Sequence, residues 1–164
     1  MLPRMPKLDR FVESYRGCMP LHVQKVVCYV IHDGHLLVFT HDTIPLAKTG
    51  VQVPAGTIEP GETPERAAER ELFEETGRIG RVVQSLGEAR YDVRPTRDEI
   101  AVRHFVLMSI QHADVTERWR AGERFRSDGG GELSWTCWWM PLRDAHVLAA
   151  GLGAKIGMAA SAAR

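Results

Sequence analysis

GTIEPGETPERAAERELFEETG, residues 56–77, decides how this chain is read. Thr63-Pro64 is a strong helix start, with Thr63 as N-cap and Pro64 at the first helical position. Gly77 suits the stop. At 100° per residue, Ala68, Leu72 and Thr76 share one face, and Glu71, Glu74 and Glu75 lie on an adjacent one. Arg70 and Phe73 are expected to point elsewhere. A Gly/Pro-rich loop in front supplies Gly56 and Glu62. Like charges three or four residues apart cost an isolated helix roughly 0.2–0.5 kcal/mol per pair. The usual compensator for clustered carboxylates is a divalent cation with an oxygen-only ligand shell. The segment therefore points to a metal site, and through it to phosphate chemistry.

Outward from this helix, residues 23–31 and 35–41 are β-branched and aromatic runs joined by Asp33-Gly34, a hairpin signal. The first run is apolar at consecutive positions, which predicts a strand covered on both faces. Residues 42–63 read as loop with a short strand near residues 51–53. Strands are expected over 81–93, 99–110 and 133–142. A mobile loop is expected over 117–131, a leading helix over 7–16 and a closing helix over 143–162. The sum is one α/β domain spanning residues 1–164, with a mixed sheet, helices on both sides and a loop–helix–loop beside it.

Composition narrows the function classes. Of 164 residues, 44% are apolar and 26% charged, as in ordinary globular proteins. The formal net charge is zero, so no global field draws the chain to nucleic acid or membrane. The first residues lack the apolar stretch of a secretory signal, and no run reaches membrane-spanning length. Cys18, Cys28 and Cys137 are few, odd in number and far apart, which fits reduced thiols and a cytoplasmic location.

At this point the residues resemble a known family. Gly56, five residues, Glu62, seven residues, then Arg70-Glu71-Leu72-Phe73-Glu74-Glu75-Thr76-Gly77 is similar to the Nudix box, GX5EX7REUXEEXGU with U aliphatic. Every fixed glycine, glutamate and arginine is present. The last position departs, with Arg78 where an aliphatic residue normally packs the loop after the helix. The resemblance implies a Nudix-type α/β/α sandwich with a mixed β-sheet and a catalytic loop–helix–loop. It also implies magnesium-dependent hydrolysis of a nucleoside diphosphate derivative, with manganese able to substitute. By position, Glu71, Glu74 and Glu75 would bind metal, with the Gly56 carbonyl as a further ligand. Glu62 and Arg70 would brace the site. The general base would be Glu71 or Glu132, the latter standing where many members keep a loop glutamate; Glu99 and Glu123 are weaker contenders.

The substrate stays open at this level. VPAGTIEPGET is somewhat similar to nucleotide-sugar hydrolases acting on ADP-ribose. A short single domain is more similar to enzymes cleaving nucleoside triphosphates or dinucleoside polyphosphates. RNA cap hydrolysis would need a basic tract, and the balanced charge argues against nucleic acid as a partner. A nucleotide-sensing, non-catalytic Nudix module is the alternative, although such proteins typically lose box glutamates and this chain keeps them all. His32, His35 and His41 read as polar turn residues, not a zinc set. Trp135, Trp138, Trp139, Phe39 and Tyr91 read as core before base-stacking platforms, and Arg90, Arg94, Arg97 and Arg103 as a solvated face. Nudix proteins are often dimers, and an exposed Phe73 permits a homodimer.

Overall fold

In the computed structural model, which describes residues 21–122 and 134–163, the apolar run becomes β1 (Leu21–His32), and Val26–Val30 within it are fully covered. The turn after it leads directly into β2 (His35–His41). Asp33 and Gly34 both take positive φ, 44° and 69°, the handedness a two-residue hairpin requires. The strands that follow are β3 (Ala55–Thr57), β4 (Arg81–Asp92), β5 (Glu99–Ser109), β6 (Arg118–Ala121) and β7 (Trp135–Pro141). They form one seven-stranded sheet in the order β4-β5-β1-β2-β7-β6, with β3 pairing β1 off that path. β1 and β5 run parallel and the other pairs antiparallel, so the sheet is mixed.

One face of the sheet is covered by α2 (Pro64–Thr76), which follows the single short turn α1 (Leu46–Thr49). Ala67, Ala68 and Leu72 sink into a cluster with Val26, Cys28, Val106, Met108 and Trp135. The opposite face packs against a 3-10 turn (Leu142–Val147) and α3 (Ile156–Ala162) through Ala145, Leu152 and Ala159. Two helical layers on one sheet make the α/β/α sandwich that the sequence implied. Among the described residues, no helix is long and apolar enough to cross a membrane.

Three expectations need correction. Residues 118–121 form a strand instead of belonging to a mobile loop, because the short β6 pairs with β7 from Arg118↔Trp138 to Ala121↔Trp135. The closing helix is broken: Ala150 (φ 52°) and Gly151 (φ 72°) turn the chain between the 3-10 turn and α3. Around residues 51–53 there are only isolated bridges, Phe39↔Gln52 and Val51↔Leu148, and the regular short strand begins at Ala55. The expected helix over 7–16, Cys18, Glu123 and Glu132 lie outside the described residues.

Candidate active site

The sequence builds α2 with few ambiguities. Thr63 Oγ1 accepts from the Arg66 amide at 3.3 Å, Pro64 occupies the first turn, and Gly77 adopts the left-handed conformation (φ 71°) that ends the helix. Two tryptophans then fasten its last turn to the sheet. Trp119 on β6 donates its indole N–H to the Thr76 carbonyl at 2.8 Å, and Trp135 on β7 donates to the Glu75 carbonyl. These bonds satisfy carbonyls that a helix end leaves without intrahelical partners.

Arg70 organises the carboxylates. Its Nε and Nη2 form a two-pronged contact with Glu62 Oε1 and Oε2 at 3.0 and 2.9 Å. Its Nη1 donates to Glu71 Oε1 at 2.8 Å and to Glu74 Oε2 at 3.0 Å, and Nη2 also donates to the Thr57 carbonyl at 2.9 Å. The helical angle alone had pointed Arg70 away from the carboxylates. A long side chain reaching i+4 and back to the preceding loop overrides that angle. On the other side, Glu75 Oε2 accepts from the Ala55 amide at 2.8 Å, tying the helix to β3.

The oxygens are unequally used. Both oxygens of Glu62 are engaged, by Arg70 and by the Glu59 amide. Among the described residues, Glu71 and Glu74 each spend one oxygen on Arg70, which leaves the second for another cation. Glu62 is thereby suited to bracing, and Glu71 and Glu74 to ligation. Among the described residues, no three His, Cys, Asp or Glu side chains form a ready-made ligand cluster. Glu62, Glu71 and Glu74 converge on the Arg70 guanidinium. Donor chemistry still fits magnesium or manganese, since every candidate ligand is a carboxylate or carbonyl oxygen. Gly56 is the cradle of the site. A Cβ there would stand 1.9 Å from Glu71 Cδ, so only glycine lets this carboxylate lie against β3.

Electrostatics follow depth. The Arg70 contacts and the Glu59 amide hold Glu62 down at about 2. Glu71 is instead raised: burial outweighs the same guanidinium, and the Glu74 and Glu62 charges add to the rise. Their side chains are similarly shielded, 15% and 12% exposed, but Glu71 lies deeper against the sheet. Beneath it, Cys28 is pushed up first by burial and then by the charges of Glu75 and Glu71. Cys28 and Cys137 are both free and buried, as two reduced thiols should be.

The remaining sequence candidates separate. Glu99 opens β5 opposite Leu21. Phe39, Trp135 and Trp139 are core, 1%, 3% and 5% exposed, which removes them as base platforms. Trp138 carries Arg118 over its ring, and Tyr91 carries Arg103. His35 bonds the Asp33 carbonyl, and His41 packs edge-on against Trp135. Arg78, the departure from the box, replaces aliphatic packing with a guanidinium 4.2 Å above the Trp119 ring and an ion pair to Glu117. Sequence reasoning did not find Trp119, whose only signal was an aromatic between two arginines.

The NUDIX domain family matches residues 21–158. An RNA pyrophosphohydrolase of Brucella ovis is 32% identical over 147 residues, covering 79% of this chain and 76% of that relative. Among solved structures, a MutT protein from Methanosarcina mazei Go1 matches with a TM-score of 0.61 at 16% identity, over 88% of this chain and 97% of its own. A UDP-X diphosphatase matches with a TM-score of 0.58 at 12% identity, over 87% of this chain, which spans 64% of that longer protein. At such identities the two structures speak to the fold alone.

Proposed function

The chain belongs to the Nudix family of pyrophosphohydrolases, and on that premise we propose that it cleaves the anhydride of a polyphosphorylated nucleotide terminus, with RNA as the bearer of that terminus. The 32% identity to an RNA pyrophosphohydrolase carries the choice of RNA. Internal RNA linkages are phosphodiesters, so an anhydride in RNA can only sit at a polyphosphorylated end. A small nucleotide derivative, such as ADP-ribose, a nucleoside triphosphate or a dinucleoside polyphosphate, is the second reading. The zero net charge favours it, since no global field gathers an RNA body.

Glu71, Glu74, Glu75 and the Gly56 carbonyl would hold magnesium. When bound, it would neutralise phosphate charge and lower the pKa of a water. Arg70 and Glu62 do the positioning. Their two-pronged contact fixes the guanidinium, which in turn aims one oxygen of Glu71 and one of Glu74. The attacking water must lose a proton, and Glu71 or Glu132 would receive it.

Retention of every box glutamate supports turnover over mere sensing. The experiment is product identification with magnesium on 5′-triphosphorylated RNA, nucleoside triphosphates, ADP-ribose and dinucleoside polyphosphates. Release of pyrophosphate or phosphate from the RNA is the expected result. Turnover of free nucleotides without RNA turnover would select the second reading. Binding without any turnover would select the sensor.

A further inference from the structure

Two positions of the box are left over by the chemistry above: Phe73, which has no role in the core, and Arg78, which breaks the aliphatic pattern. Both line the same cleft. It has a volume of about 810 Å³, runs between the last turn of α2 and β6, and is bounded also by Glu74, Trp119, Arg120 and Thr43. Resting on the polyphosphate reading, we infer that this cleft holds the nucleoside attached to the scissile phosphates, with Phe73 as the stacking surface for its base.

Five observations carry the assignment. Glu74 is a wall of the cleft and also a partner of Arg70, so the cleft and the candidate reaction centre share this carboxylate. Its volume falls within the range of small-ligand sites, roughly 300–1,000 Å³. Phe73 is 56% exposed on a helix whose opposite face is fully buried, so its ring is held out towards the cleft by the fold without being used by it. The wall beyond is rigid and planar: Trp119 is fixed by its bond to the Thr76 carbonyl, and the Arg78 guanidinium lies over its ring. Aromatic rings and guanidinium planes are the surfaces on which unstacked bases settle. Arg120, 77% exposed and paired at its Nε with Asp42, adds a cation at the outer rim suited to a phosphate of the same ligand.

The recognition is therefore by stacking and charge, with no hydrogen-bond code for one base. All four nucleosides are expected to fit, because every base offers a π-face. This suits an enzyme that meets a terminus of any sequence.

The test uses the whole protein and measures binding of AMP, GMP, CMP, UMP and inorganic phosphate by calorimetry. Wild type is expected to bind all four monophosphates more tightly than phosphate. Phe73→Ala should lose about tenfold for each monophosphate while phosphate affinity stays level, and Phe73→Trp should restore it. Arg120→Gln should weaken the monophosphates in the same direction, and an exposed site makes all three variants safe for folding. Monophosphates bound no better than phosphate in wild type, or equally well by Phe73→Ala, would overturn the assignment. So would a Phe73→Ala protein whose oligomeric state changes while nucleotide binding does not. Turnover with a Phe73-independent affinity sinks the cleft and spares the hydrolase. Phe73-dependent binding without wild-type turnover does the reverse.

Discussion

Substituting Gly56 by alanine isolates what the cradle does. The new Cβ would lie 1.9 Å from both Cδ and Oε1 of Glu71 and 2.3 Å from Oε2. Ordinary contact requires about 3.5 Å, so the carboxylate has to retreat by about 1.5 Å. The retreating group is the end of a flexible side chain, so the backbone can stay in place. Its bond to Arg70, 2.8 Å long, would stretch beyond hydrogen-bond range. For a guanidinium a quarter exposed, losing one such contact costs about 1 kcal/mol, a fall of about 3 °C in Tm for a chain of this size. Activity should suffer far more. A group misplaced by 1 Å or more at a reaction centre can cost about a hundredfold in rate. Thermal unfolding and steady-state turnover on the preferred substrate read the two effects separately. Gly34→Ala is the control: its φ of 69° makes alanine strained, yet nothing lies within 4 Å of the added methyl and the hairpin tip is remote from Glu71. It should cost about 1 kcal/mol and leave turnover at the wild-type level. Wild-type turnover in Gly56→Ala would refute the claim that Glu71 must lie against β3, and wholesale unfolding would refute the claim that the side chain alone gives way.

Other perturbations divide the same way. Glu74→Gln and Glu75→Gln should each lower turnover by orders of magnitude at unchanged Tm, because glutamine can still accept from the Ala55 amide and Glu74 is exposed. Leu72→Ala should cost about 2–5 kcal/mol, readable by chemical denaturation, because the side chain is fully buried against the sheet. Glu62 has its folded pKa depressed from 4.5 to about 2. Its stabilising contribution is therefore complete above pH 4.5 and lost as pH falls towards 2. With screening at a partly solvated site this amounts to about 1 kcal/mol. The stability gap between wild type and Glu62→Gln, measured by urea denaturation, should thus be present at pH 6 and close by pH 2.5 (on the order of two tenfold steps into the titration). Arg78→Leu, restoring the aliphatic residue, should keep the fold but remove the stack on Trp119, visible as a change in tryptophan fluorescence.

Local chemistry made much of this fold legible. Strand β1, the Asp33-Gly34 turn and both ends of α2 follow from apolar runs, a dipeptide and two caps, each acting over a few residues. The pieces that escaped depend on partners distant in sequence. Strand β6 is only Arg118–Ala121, and it exists because β7 offers an edge. The closing segment contains helix-forming alanines, yet two residues in the left-handed conformation at Ala150 and Gly151 divide it. At the site, spacing singled out Gly56, Glu71, Glu74 and Glu75 as candidates. Helical angle alone pointed Arg70 away from Glu62, Glu71 and Glu74, because side-chain reach is not encoded in it; the bracing part of Arg70 came from the family resemblance. Nor could spacing place Trp119 under Arg78, a contact between residues 41 positions apart.

Cation uptake tests the account most directly. Titrating manganese into the protein, with heat as the readout, should give saturable binding to wild type. That binding should weaken by at least about a hundredfold, the scale of lost ligands in a metal site, when Glu71 and Glu75 are both changed to glutamine. Equal uptake by wild type and the double variant, or no uptake by either, would contradict the claim that these carboxylates hold the ion.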